Sequence, residues 1–232
     1  MKQPIFITGI QRSGASLVAR IIQMAGAWGG ECNNMYENNG LRELMDVYYR
    51  DILNIPKAGQ YPLPDGFIIP NNWEAVIHSA IKDQGYDGTK PLIYKDHRLG
   101  QVWEAWNHIF PNAKWIIVRR RSGDVINSCM KTGYMTAFQN EEFQRAVGVE
   151  NEKEAWRWWV HWHERRFVEM IESGLNCKVI WPERMVEGDY AQMYETVEWL
   201  GLGWRNDMIS RIEPVLWKGR KILKGVKQNE DN

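Results

Sequence analysis

The sequence predicts a three-layer α/β domain with a mostly parallel central sheet. Compact β-branched apolar runs recur along the chain, each is followed by a helix-spaced segment, and a glycine-punctuated turn joins the first run to its helix. Such alternation puts helices on both faces of a parallel sheet. At 232 residues the chain is long enough for one domain, spanning 1–232, with a full core.

The first run, PIFITGI (4–10), is short, apolar and closed by glycine, which reads as a buried strand. SLVARIIQMAG then spaces Leu17, Val18, Ile21, Ile22 and Ala25 as a helix that stops at Gly26. LRELMDVYYRDILN (41–54) and NNWEAVIHSAIKDQG (71–85) are helical, separated by IPKAGQYPLPDGFIIP, whose prolines and glycines mark a loop or lid. PLIYKD and KWIIVRR are two further strands, leading into the helices QVWEAWNHIF and SGDVINSCMKTG. A long helix is expected over 141–173, with a break near Gly148. CKVIW supplies a fourth strand and YAQMYETVEWLG a last helix, before the basic and then polar tail WKGRKILKGVKQNEDN.

Twenty-nine basic and 29 acidic side chains cancel, which argues against a general nucleic-acid or membrane-surface binder, so any anion site must be local. Cys32, Cys129 and Cys177 are odd in number and far apart, giving neither a disulfide framework nor a metal-ligand pair. The N-terminal run is short and broken by glycine and Arg12, unlike a signal peptide, and no apolar stretch approaches the ~18 residues of a membrane span. A cytoplasmic protein is expected. Thirteen tryptophans are the compositional oddity. On EAWRWWVHWHERRF, Trp156, Trp159, His163, Phe167 and Met170 recur at core spacing, while Trp158 and Trp162 share a neighbouring face. His161 and His163 are two apart and face different sides of a helix, a poor metal site.

GIQRSGAS (9–16) has the spacing of a phosphate loop, Gly-x-x-x-x-Gly-x-Ser. Gly9 and Gly14 permit a turn that points backbone N–H groups inward, and the following helix adds the positive end of its dipole. A nucleotide triphosphatase needs lysine where Ala15 stands. KWIIVRRRSGDVINS runs a strand into three arginines, a turn and a helix, with Arg120 eight residues before Ser128. Arg120 falls at the strand's carboxyl end and Ser128 in the first turns of the helix, on the edge where open α/β sheets bind ligands. A guanidinium fork and a hydroxyl suit a phosphate dianion. The fold expected is therefore P-loop nucleotide-hydrolase-like.

These motifs resemble those of the sulfotransferases that use 3′-phosphoadenosine-5′-phosphosulfate (PAPS). The family's 5′-phosphosulfate loop, Lys/Arg-Ser-Gly-x-Ser/Thr, is matched by Arg12-Ser13-Gly14-Ala15-Ser16, and its 3′-phosphate motif by Arg120, Asp124 and Ser128. Gly40-Leu41-Arg42-Glu43 is similar to a Gly-x-x-Glu element. KDHR, Lys95 to Arg98, resembles Lys-Asp-Pro-Arg with His for Pro, and VIWPERMVEGDYAQMYETVEWLGL resembles the late strand–loop–helix. The resemblance implies that Arg12 binds the 5′-phosphosulfate and stabilises the leaving group. Ser13, Gly14, Ala15, Ser16 and Leu17 would give backbone donors, with the Ser16 hydroxyl on a phosphate oxygen. Arg120 and Ser128 would hold the 3′-phosphate, and Lys218, Arg220 and Lys221 would close over it. Leu17 stands where better-studied members place an adenine-stacking tryptophan.

Sulfuryl transfer moves a group with less charge than a phosphoryl, so by analogy with loose phosphoryl transfer, positioning and electrostatics suffice and no metal is required. The acceptor hydroxyl needs a base, for which His97 has the best ordinary pKa; Glu43 is the rival and Asp96 a third. The acceptor is a small molecule or carbohydrate, with a choice set in loops such as 55–70 and MTAFQNEEF (135–143). A P-loop nucleotide or small-molecule kinase and a non-catalytic nucleotide-binding module are the alternatives.

Overall fold

The computed structural model describes residues 2–55, 60–61, 63, 69–133 and 135–212. Four described strands form one sheet: β1 (Ile5–Gly9), β2 (Ile93–Lys95), β3 (Lys114–Val118) and β4 (Cys177–Ile180), in the order β2-β1-β3-β4. All three pairings are parallel, with Ile5 opposite Ile93 and Lys114, and Trp115 opposite Cys177. All four apolar runs of the sequence are strands. Every residue of β1 is buried, because it is central and covered on both faces.

Strand alternation sorts the core into two layers. Ile5 and Ile7 of β1 point with Ile116 and Val118 toward Val18 and Ile22 of α1 (Ala15–Met24) and toward Met193 and Val197 of the late helix at Ala191–Trp199. Phe6 points the other way, edge-on to Trp106 and Trp115 at centroid distances of 5.2 and 5.0 Å. That face is covered by α2 (Asn39–Val47), α3 (Trp73–Asp83), α4 (Trp103–Ile109), α5 (Ser122–Thr132), α6 (Glu141–Ala146) and α7 (Glu152–Glu172). Two helices complete the described chain, α8 (Pro182–Val186) and α9 (Ala191–Trp199).

The structure departs from the sequence reading at element ends. The 41–54 helix is α2 followed by a π-helical turn at Tyr48–Ile52, which buries Tyr48 and Tyr49. The helix over 141–173 breaks near Gly148 as expected, into α6 and α7: Gly148 takes φ +73°, and the Asn151 side chain caps α7 by accepting from the Glu154 N–H. MTAFQNEEF, expected as a loop, is a 3₁₀ turn running into α6, with Met135, Ala137, Phe138 and Phe143 buried and the other five residues exposed. Phe138 and Phe143 are buried and stacked at 5.0 Å, and Phe138 meets the edge of Trp156. Most of 55–70 lies outside the described residues.

The path from β1 to β2 runs to one side of β1, and the path onward to β3 crosses to the other. This reversal opens a crevice at the carboxyl ends of β1 and β3. The two strands approach closely there. A Cβ on Gly9 would stand 2.5 Å from the Val118 carbonyl oxygen and 2.7 Å from Ser13 Oγ. Gly9→Ala is therefore expected to cost about 1–3 kcal/mol by overpacking, read as a lower urea midpoint with unchanged m-value. An unchanged midpoint would show that the strands do not meet there.

Candidate functional site

The loop after β1 is built on left-handed backbone. Arg12 takes φ +67° and Gly14 φ +97°, and Ser13 N–H closes the turn on the Ile10 carbonyl at 3.0 Å. A non-glycine residue at positive φ is held there by its surroundings. For Arg12 those surroundings are the second motif: Arg120 Nη1 donates to the Arg12 carbonyl at 3.0 Å, and Arg12 Nε donates to Ser128 Oγ at 3.0 Å. The two anion motifs, separated by more than a hundred residues in the chain, meet in the β1–β3 crevice.

The surroundings suit an anion. Helix α1 starts at Ala15 with no side-chain cap and no acidic residue in its first turn, so its positive end faces the loop uncompensated. Ser13 Oγ and Gln11 Nε2 are buried without a hydrogen-bond partner among the described residues. Buried polar groups left so are uncommon and mark a place where a bound group or water completes the bonding. Gln11 is held by its other end, Oε1, which accepts from Trp159 Nε1 of α7 at 3.1 Å. Arg120 is almost wholly buried. Burial lowers its pKa, opposed by Asp124 and by Glu183, whose carboxylate lies 3.8 Å from Nε. A guanidinium remains charged under such a shift. Ser16 and Leu17 are half-buried on the first turn of α1, and Leu17 packs against the α1–α9 layer. Arg220, with Lys218 and Lys221, lies outside the described residues.

The KDHR segment lies beside this crevice, at the carboxyl end of β2. Thr8 of β1 fixes it: the Gly100 N–H donates to Thr8 Oγ1 at 2.9 Å, and Thr8 Oγ1 donates to the His97 carbonyl at 3.2 Å. His97 to Gly100 form a 3₁₀ turn. Lys95 points away, to Glu37 Oε1 at 2.7 Å. Asp96 is buried and ion-paired to Arg98 at 2.7 Å, with His97 Nδ1 3.4 Å from its Oδ1. Burial pushes the Asp96 carboxyl up, but Arg98, then His97, pull it well below the usual range. Asp96 is thus a buried, paired anion, which removes it as a rival base. The His97 side chain is 25% exposed. Desolvation lowers its pKa to about 4, against the upward pull of Asp96 and with Arg98 adding to the fall. It is a neutral imidazole at pH 7. Glu43 is exposed on α2 and makes no polar contact among the described residues.

Sequence reasoning overlooked Asp46, which pairs with Arg98 from α2, and Gln11, whose partner Trp159 is 148 positions away. Neither has a local signal. The tryptophans sort as their spacing suggests: Trp156, Trp159, His163, Phe167 and Met170 are buried, and Trp158 and Trp162 pack against them. Trp162 stacks on Trp159 at 5.3 Å. His161 is exposed and His163 buried, on different sides of α7. A cleft of about 340 Å³ lies at the opposite, amino edge of the sheet, lined by Lys2, Lys90 and Lys114. The C-terminal ends of α1 and α9 reach this cleft, and Lys114 Nζ donates to the Trp199 carbonyl at the end of α9.

Among solved structures the chain superimposes on the sulfotransferase STF9 from Mycobacterium avium, with a TM-score of 0.58 at 13% identity over 92% of this chain and 67% of that one. A sulfotransferase domain from the curacin biosynthetic pathway gives 0.57 at 14%, covering 90% and 77%. The sulfotransferase domain of the Synechococcus PCC 7002 olefin synthase gives 0.54 at 15%, covering 97% and 91%. The chain has the sulfotransferase fold. No family model and no curated protein sequence matches it. The resemblance of its motifs therefore joins a resemblance of architecture, reached at identities where overall sequence similarity is faint. In this sulfotransferase fold no described helix is long and apolar enough to cross a membrane.

His163, buried, and His97, partly buried, make a pH prediction. His97 and His163 have folded pKa values near 4 and 3, both pushed down chiefly by burial, against 6.5 unfolded. Below pH 6.5 the unfolded chain binds protons that the folded chain refuses, so stability rises with pH there. Urea unfolding is expected to show stability falling from pH 6.5 toward 4, by up to about 1.4 kcal/mol per pH unit for each histidine, and little change from pH 7 to 8. Constant stability between pH 5 and 7 would contradict the burial of both rings.

Proposed function

We propose that the chain is a single-domain, PAPS-dependent sulfotransferase, transferring a sulfuryl group to a hydroxyl, or amine, of a small-molecule or carbohydrate acceptor. The observation that carries this reading is the clasp of Arg12 on Ser128 and of Arg120 on the Arg12 carbonyl, which brings two cations and an amide-lined turn to one crevice. A donor phosphorylated at both ends of an adenosine needs such a pair. Ala15 argues against the kinase alternative, since the loop offers no lysine to a triphosphate.

The donor, when bound, supplies a sulfuryl group on a phosphate leaving group. The chain's residues divide the remaining work. The N–H groups of Gly14, Ala15 and Ser16, with the dipole of α1, orient the 5′ end, and Ser16 Oγ donates to it. The Ser13 and Leu17 N–H groups, expected as donors from the sequence, are instead given to the Ile10 and Gly14 carbonyls at 3.0 Å. Arg12 sits where negative charge grows on the departing phosphate oxygen, and meets it without a metal. Arg120 and Ser128 hold the 3′-phosphate. The orphaned Ser13 Oγ fits the same anion, which a purely structural turn leaves unexplained. His97, neutral and partly open, receives the acceptor proton, and Glu43, exposed on α2, is the competing base.

Each charge-assisted hydrogen bond is worth about 1.5–3 kcal/mol. Arg120→Ala is therefore expected to weaken adenosine 3′,5′-bisphosphate binding by roughly ten- to a hundredfold in calorimetry, and unchanged affinity would remove the assignment. For the base, His97→Ala should lower turnover by about 10²-fold or more while Glu43→Gln leaves it within a few-fold. The reverse ranking would move the role to Glu43.

A further inference from the structure

We propose that Asp96 is a positioning residue: its buried carboxylate fixes the ring of His97 with Nδ1 turned inward, leaving Nε2 to face the acceptor. The inference rests on the sulfotransferase reading for what His97 does, and on geometry for how it is held.

Asp96 is 1% exposed and lies at the centre of a polar cluster. Its Oδ1 accepts from the Arg98 N–H at 2.9 Å and from Arg98 Nε at 3.1 Å, and faces His97 Nδ1 at 3.4 Å. Its Oδ2 accepts from the Tyr94 hydroxyl at 2.9 Å and from Arg98 Nη2 at 2.7 Å. Such a carboxylate has no rotational freedom left, so its Oδ1 stays directed at the Nδ1 side of the imidazole. Arg98 is tied in turn to Asp46 on α2 and lies over the ring of Tyr49, which donates its hydroxyl to Gln101 Oε1. The frame around the imidazole thus joins β2, α2, the π-helical turn and the 97–100 turn.

The chemical consequence is a choice of tautomer. A neutral imidazole carries one N–H, and a carboxylate beside Nδ1 favours the proton there. The lone pair then sits on Nε2. In the transfer, Nε2 gains the acceptor's proton as the acceptor oxygen bonds to sulfur and the bond from sulfur to the donor's 5′-phosphate oxygen breaks, its electron pair leaving on that phosphate. The resulting imidazolium is stabilised by Asp96, which itself remains unprotonated. An aspartate so buried and so heavily bonded is better suited to this than to proton abstraction from substrate.

Other charges bear on the ring. Lys95 of β2 and Arg98 of the turn oppose its protonation, Glu37 in the loop before α2 favours it, and His163 of α7 is a further ionisable neighbour. Asp96 is the largest favourable electrostatic influence among them. Removing its charge should therefore lower the His97 pKa further, moving the acid limb of the rate to lower pH while lowering the plateau.

The first test needs no variant of Asp96. Long-range ¹⁵N–¹H spectra of the full chain, with His97 assigned by its loss in His97→Gln, are expected to show a neutral ring protonated at Nδ1. A ring protonated at Nε2 overturns the proposal, whether or not Asp96 variants fold. In Asp96→Asn, kcat is expected to fall at least about tenfold with the donor KM within about twofold, because Asp96 touches neither substrate. Retained turnover with an unshifted acid limb overturns it as well. A chain with no sulfuryl transfer would retire the functional reading, whereas the Nε2–H tautomer would retire only the role of Asp96.

Discussion

The close approach of β1 and β3 at Gly9 is the constraint from which the site follows. With no side chain at that position, the Val118 carbonyl and Ser13 Oγ both occupy space a Cβ would fill. The loop after β1 can then fold back over the end of β3, within reach of Arg120. That arginine takes the carbonyl of Arg12, which stands at positive φ. One glycine, one guanidinium and one strained residue therefore fix the loop, and the start of α1 adds its dipole.

The same sheet edge carries a second, differently built centre. Around the 9–16 loop Arg12 and Arg120 bring positive charge, and the start of α1 has no side-chain cap. Around Asp96 the charges are nearly balanced and buried, and the bonding is dense. Burying an ion pair such as Asp96–Arg98 is poor value as stability, because desolvation offsets most of the attraction. It makes sense where a fixed orientation is needed. Thr8, at the end of β1, bonds to both ends of the 97–100 turn and so couples the two centres through the sheet.

The strands, the turn after β1 and the positions of Arg120 at the end of β3 and Ser128 on α5 were legible in the sequence because each is a local pattern. Four apolar runs gave four parallel strands, and the eight-residue interval from Arg120 to Ser128 spans a turn and part of one helix. The contact of Arg12 with Ser128 required knowing that β1 and β3 are neighbours, which no local pattern states. Asp46 and Gln11 were invisible for the same reason, their partners being distant in the chain. The break between α6 and α7 was signalled by Gly148, yet the capping Asn151 decides where the second helix begins. In 135–143 polar residues flank Phe138 and Phe143 and hide their part in the aromatic core, where they meet Trp156 and Trp158.

The account stands on a single crevice gripping both ends of one bisphosphorylated nucleoside. A crystal structure with adenosine 3′,5′-bisphosphate tests it most directly. The expected result is the 5′-phosphate on the N–H groups of Gly14 to Ser16 and the 3′-phosphate between Arg120 and Ser128, with Arg12 released from the Ser128 hydroxyl. Density for the nucleotide elsewhere, with Arg12 still bonded to Ser128, would contradict it.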